Sequence, residues 1–318
     1  MSGAATAYGG QAVIEGVVIR GRRTLALACR RPNGEIYRYR EALDSPLQRS
    51  RLAKLPFVRG VVVLWESLSH GMRMLMRSAD VQLEGPDGQD AKLGTGGTGV
   101  MMLVSVGAAL LIFIGVPYLL TQLLHAFVGS SLLLNVGEGI ARLGLFVGYL
   151  VAISFLPDIR RVFAYHGAEH MTIHAFEHGD PLDLAHIEPY PTAHPRCGTA
   201  FLLFVVVIAI AIFAFIPRVN LVVDLAARLL LVIPVAAIAY EVLKFGARHE
   251  RNPLMRLAVA PGLLLQAITT RRPDGPMIEV AVASLEEALA GDAVVEGALA
   301  EGAAAGDAVA GDAPDPAA

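Results

Sequence analysis

The sequence predicts an α-helical integral membrane protein with four transmembrane helices and a small cytosolic β-containing N-terminal unit. Three observations carry that fold class. Of 318 residues, 54% are hydrophobic and 17% charged, whereas a soluble domain carries about a quarter charged residues. Four apolar stretches each approach the roughly 20 residues needed to span hydrocarbon. Ahead of them, "AVIEGVVIRG" and "TLALACRR" are β-branched or apolar runs, and Asn33-Gly34 marks a hairpin turn into the alternating "EIYRYREA". The net charge of −3 argues against a nucleic-acid partner. Two distant cysteines, Cys29 and Cys197, form no disulfide framework. The N-terminus shows no basic-then-apolar pattern of a cleavable signal peptide.

In chain order, residues 1–57 form the β unit. Residues 58–83 have apolar positions at helical spacing among arginines, so they predict an amphipathic helix at the membrane interface with Trp65 as its anchor. Residues 84–99 are a polar, Gly-rich linker. The membrane domain covers 100–248, with spans near 100–124, 140–156, 200–216 and 221–245 and a cytosolic His-rich helix within 158–199. Residues 249–290 give an apolar interfacial helix broken by Pro253 and Pro261, then a strand and a short helix from "PMIEVAVASLEEALAG", closing the N-terminal sheet. Residues 291–318 are Ala/Gly-rich and acidic, a composition expected to stay disordered.

Orientation follows from basic residues near the span ends. None lies in 125–139, whereas Arg160, Arg161 and Arg196 lie in the second connection and Lys244, Arg248, Arg251 and Arg256 follow the fourth span. The third-to-fourth link holds Arg218. Both termini and the His-rich segment are therefore expected in the cytoplasm, with the chain multi-pass in the bacterial inner (plasma) membrane. In the fourth span, Asp224 and Arg228 stand at i, i+4 and are expected to pair with each other. Glu241 is expected either near the site below or paired with Lys244.

"YHGAEHMTIHAFEHG" places His166, His170, His174 and His178 at a spacing of four. Such a ladder spans about 18 Å and drifts by roughly 40° per step, so neighbouring pairs can share an ion but all four cannot. His166, Glu169 and His170 form H-x-x-E-H, in which two imidazoles hold a metal and the glutamate takes a proton from water. The returning "HPRCGTAF" offers His194 and Cys197 as further ligands, because catalytic zinc takes three protein ligands and an open position. The predicted metal residues are His166, His170, His194 and Cys197, with Glu169 catalytic and a divalent metal, zinc by ligand type, as cofactor. The glycines of "GGQAVIEGVVIRG" match no nucleotide-binding pattern.

In order, "GGQAVIEGVVIRG", "YHGAEHMTIHAFE", "HPRCGTAFL", "YEVLKF" and "PGLLLQAITT" resemble the YqhQ-like family of bacterial membrane proteins, over about residues 9–290. That family is a domain of unknown function whose members are labelled predicted metal-dependent enzymes, a label that rests on the same histidines. The resemblance implies the same metal residues. Met171 departs from it, standing where the family usually has lysine. The expected function is a metal-dependent hydrolase at the cytosolic membrane face. The alternatives are a non-catalytic scaffold or assembly factor, with or without a structural metal, and ion or proton transport along the ladder to Glu241 and Asp224. The bilayer is the expected partner, an unknown protein partner is allowed, and no substrate can be read.

Overall fold

In the computed structural model, residues 8–43, 50, 55–83, 95–124, 127–249 and 252–310 are described. Strands β1 (Gly9–Val13), β2 (Gly16–Arg20), β3 (Thr24–Arg30) and β4 (Ile36–Ala42) form an antiparallel sheet in sequence order. Gly34 takes φ +92° in the β3–β4 turn, the backbone that the Asn-Gly pair anticipates. Ile14 and Glu15 form the two-residue β1–β2 turn, where Glu15 has φ +50°. The side chain of Glu15 therefore leaves the sheet, receiving both ends of the Arg161 guanidinium and the Tyr165 hydroxyl.

Both faces of the sheet are covered, which is why "TLALACR" reads as an unbroken apolar run. Val17, Ile19, Ala26 and Ala28 pack against α5 (Pro157–His178) and α10 (Gly275–Ala310). Val13, Val18, Leu25, Leu27 and Cys29 pack against Met74 and Val81 of α1 (Val58–Leu83). The expected strand after residue 275 is the opening of α10 instead. Its buried residues Met277, Val280, Ala281, Ser284, Leu285 and Ala288 follow a helical period, and the Asp274 carboxylate accepts from the Met277 N–H to start it. The helix runs past Gly291 to Ala310, so much of the expected disordered tail is helical; residues 311–318, and linker residues 84–94, lie outside the described set.

Three helices are long and apolar enough to cross a bilayer: Gly99–Leu123, Ser131–Ile153 and Leu221–Gly246. The first comprises α2 (Thr95–Leu110), a π turn (Leu111–Gly115) and α3 (Val116–Leu123). Pro117 removes an N–H and displaces the carbonyl of Phe113, and Arg142 of α4 (Ser131–Ile153) donates to that carbonyl at 2.9 Å. Only 11% of this span is buried within the protein, so its outer surface is apolar and unpartnered, as a lipid-facing helix requires. The fourth expected span is the shorter α7 (Thr199–Phe213), packed between α4 and α8 (Leu221–Arg248). Its 15 residues reach about 22 Å, short of roughly 30 Å of hydrocarbon.

Polar groups are held inside this bundle. Glu138 accepts from Arg142 at 2.6 Å, Arg228 at 2.7 Å and Arg218 at 2.9 Å. Asp224 accepts from the Tyr118 hydroxyl and the Val219 N–H. The expected Asp224–Arg228 pair is therefore not made between side chains; Arg228 reaches only the Asp224 backbone carbonyl. Both Asp224 oxygens are already taken by Tyr118 and Val219, and Arg228 turns to the two oxygens of Glu138 on the facing helix. Glu241, likewise, joins Arg59 of α1 rather than Lys244 or the histidines.

Candidate metal centre

Helix α5 begins with Pro157 at its first turn and ends at Gly179, whose φ of +78° caps it in the left-handed region. Its middle is buried against the sheet and against the connection from α9 (Pro253–Thr269) to α10. A Cβ on Gly167 would overlap the Arg271 carbonyl, and Arg271 N–H donates to the Phe163 carbonyl at 2.8 Å. That close approach brings the C-terminus of α9 beside His166.

The His166 Nδ1–H donates to the Thr269 carbonyl at 2.9 Å, and the His170 Nδ1–H to the Thr192 carbonyl at 2.6 Å. Both tautomers leave Nε2 as the free lone pair, the arrangement in which a metal-ligating imidazole is oriented by a carbonyl behind it. The two rings lie 4.4 Å apart, and His166 Nε2 is 3.2 Å from Cys197 Sγ. One donor atom from each of His166, His170 and Cys197 lies within 4.8 Å of the others. Two imidazoles and a thiol suit zinc or a similar ion, and not calcium or magnesium, which take oxygen ligands. At zinc bond lengths of about 2.1 and 2.3 Å, tetrahedral N and S donors stand about 3.6 Å apart, against 3.2 Å between His166 Nε2 and Cys197 Sγ. Cys197 precedes α7, and its Sγ accepts from the Thr199 N–H at 3.4 Å.

Glu169 is 4% exposed and lies 3.5 Å from His170 Nε2. Burial pushes its carboxyl up to about 7, against the opposing pull of His166 and the Gly10 N–H. A cavity of about 370 Å³ opens onto Glu169, His170 and Cys197, with β1, β2 and α1 supplying much of its remaining wall.

His194 does not join the three donors. Its ring packs 4.5 Å from His174 and its Nε2 lies 3.5 Å from Glu177, which also pairs with Arg196. Burial, then the neighbouring His174 and His170, push its imidazole down to about 3, so it is neutral. Gln266 fixes this segment by bonding both the N–H and the carbonyl of His194. The ladder thus divides: His166 and His170 face the donor cluster, His174 bonds the Ala193 carbonyl, and His178 lies exposed at the last turn. Sequence reasoning missed the Thr192 and Thr269 carbonyls, which carry no side-chain signal. It also missed Gln266, whose signal was legible as the polar residue interrupting the apolar run "LLLQAI".

The chain is 30% identical over 304 residues to "Uncharacterized protein YqhQ" of Bacillus subtilis (strain 168), covering 91% of this chain and 94% of that protein. No solved structure matches it. A family profile described as "Protein of unknown function (DUF1385)" matches residues 55–291, a stretch that contains the spans, the histidine ladder and all three clustered donors. By the profile match and the full-length likeness together, the chain belongs to the DUF1385 family of YqhQ-like proteins.

Proposed function

We propose that this chain is a four-span membrane protein with a zinc-type hydrolytic centre at the cytosolic membrane face. The observation that carries the reading is the convergence of His166, His170 and Cys197 beside the buried carboxylate of Glu169, with Glu169, His170 and Cys197 lining one cavity. A bound divalent ion would polarise the bond to be cleaved and make water more acidic. His166 and His170 stay oriented by the Thr269 and Thr192 carbonyls. Glu169 takes a proton from the attacking water as its oxygen bonds to the electrophilic carbon or phosphorus. The same carboxyl returns that proton to the leaving group as the ester or amide bond breaks, so the protons balance.

Topology supports the site's side of the membrane. The sheet, α5 and α10 pack as one body, so the chain must return to the same side before α5 and again before α10. The first pair of spans makes one out-and-back excursion; α7 and α8 make the second. The arginines at 160, 161 and 196 support a cytoplasmic side for that shared body.

Purified protein is expected to carry about one zinc-type ion per chain by elemental analysis, lost in His166→Ala. Protein that folds normally and takes up no transition metal under any loading condition would end the proposal. Glu169→Gln separates catalyst from scaffold. A catalyst keeps its metal and loses turnover on a panel of chromogenic esters and amides by about 100-fold or more. The scaffold reading has one observation in its favour, since the three donors tie α5 to the segment before α7 as a structural clamp would; it predicts that Glu169→Gln changes nothing. The transport reading has no continuous hydrogen-bonded path from the ladder to Asp224 among the described residues.

A further inference from the structure

The cavity beside the three donors has a second wall with its own unmet needs. It is lined by Arg20 at the end of β2 and by Ser67, His70 and Gly71 on α1. The three α1 residues fall at i, i+3 and i+4, so they share one helix face. The Arg20 guanidinium reaches Ser67 Oγ at 3.5 Å, the limit of a hydrogen bond, and meets no carboxylate within ion-pairing distance among the described residues. Nδ1 of His70 is buried and has no hydrogen-bond partner among the described residues. Burial, with Arg73 and Arg20 nearby, lowers the His70 imidazole from its usual range, so its ring donates as a neutral group.

A cation without a counter-ion costs free energy that a bound oxyanion would remove, and the His70 ring lines the same wall of the cavity. We propose that Arg20, Ser67 and His70 bind the phosphate group of a phosphate ester whose scissile bond faces Glu169 and His170. Phosphate suits the wall better than carboxylate. Its three non-bridging oxygens match a guanidinium, a hydroxyl and an imidazole N–H, whereas a carboxylate offers two. The reaction rests on the hydrolytic reading above; the binding does not. The phosphate could be carried by a soluble ester or by a lipid headgroup, since α1 also exposes Trp65 and Leu68.

The test titrates inorganic phosphate into the full-length chain in neutral detergent by calorimetry, with chelator and with zinc. Saturable binding is expected in the wild type, weakened about tenfold or more in Arg20→Gln and by a smaller factor in Ser67→Ala, with metal content unchanged in both. Arg20→Lys, which keeps the charge, should retain part of the affinity if the fold is intact. Arg20-dependent binding in a chain that takes up no metal supports this inference and defeats the hydrolytic one. A metal-loaded chain that binds phosphate equally in all these variants, or not at all, overturns this inference and leaves the hydrolytic one standing. Nanodiscs then assign the source. Phosphatidic acid that competes with phosphate in the wild type but not in Arg20→Gln identifies a lipid headgroup, and affinity equal to that in phosphatidylcholine discs identifies a soluble ester.

Discussion

Glu138 sits 1% exposed within the helical bundle with three guanidinium groups on its two oxygens. Arg142 has a second role, closing the gap that Pro117 leaves at the Phe113 carbonyl. Removing one partner of a buried ion cluster leaves the others uncompensated, at a cost of about 3–5 kcal/mol. Glu138→Gln is therefore expected to lower the thermal midpoint in detergent far more than Asp224→Asn, whose partner Tyr118 can still donate to the amide oxygen. Equal midpoints for the two variants would contradict this account. None of this was legible in the sequence. Asp224 and Arg228 invite pairing because they are close along one helix, but Glu138 lies 90 residues away and in a stretch that reads as the end of a loop. The opposite holds for His166 and His170. Their spacing along one helix already fixed that the rings would meet, and only Cys197 had to arrive from elsewhere.

At the scale of elements, α10 shows how a period can mislead. "MIEVAVA" is β-branched enough to read as a strand, yet its burial follows the helix because the sheet already has its strands and needs a cover. The helix is locked to the sheet by Asp292, which accepts from the Tyr8 hydroxyl at 2.6 Å and from the N–H groups of Arg22 and Arg23 at 2.8 and 2.9 Å. Burial alone would raise the Asp292 carboxyl, but these donors hold it, on balance, below its usual range. The folded state thus holds its proton less tightly than the unfolded chain. Its contribution to stability is complete above the unfolded value of about 3.9 and is lost as pH falls through that value toward the lower folded one. Asp292→Asn should cost about 1–3 kcal/mol at neutral pH. The gap between mutant and wild-type thermal midpoints should then close as pH is lowered below about 4. A gap that stayed constant down to pH 3 would show that the carboxylate's charge is not what holds α10.

For the whole molecule, the decisive question is whether α7 crosses the bilayer. Its length argues against it, since 15 residues fall short of the hydrocarbon thickness. Connectivity argues for it more strongly. Strands β2 and β3, helix α5 and helix α10 share one apolar core, and a core cannot straddle a membrane. In the proposed topology, Gly99–Leu123 leaves that body and Ser131–Ile153 returns to it; Leu221–Gly246 can return only if something has left. Helix α7 lies between α4 and α8 and against α9, with Ala209 and Phe213 packed on Val235, so it is flanked by the other spans as a crossing helix would be. Apolar residues through Ile216, tilt of its neighbours and local thinning can make up the missing length at a modest cost. Single cysteines introduced at the exposed Phe127 and Val219 should therefore react in intact cells with a membrane-impermeant maleimide. Cysteines at the exposed Glu35 and Glu286 should react only after the membrane is permeabilised. The native Cys29 and Cys197 are buried and add little background. If Val219 were protected together with Glu286 while Phe127 reacted, α7 and α8 would both be re-entrant, and the bundle would cross the membrane twice instead of four times.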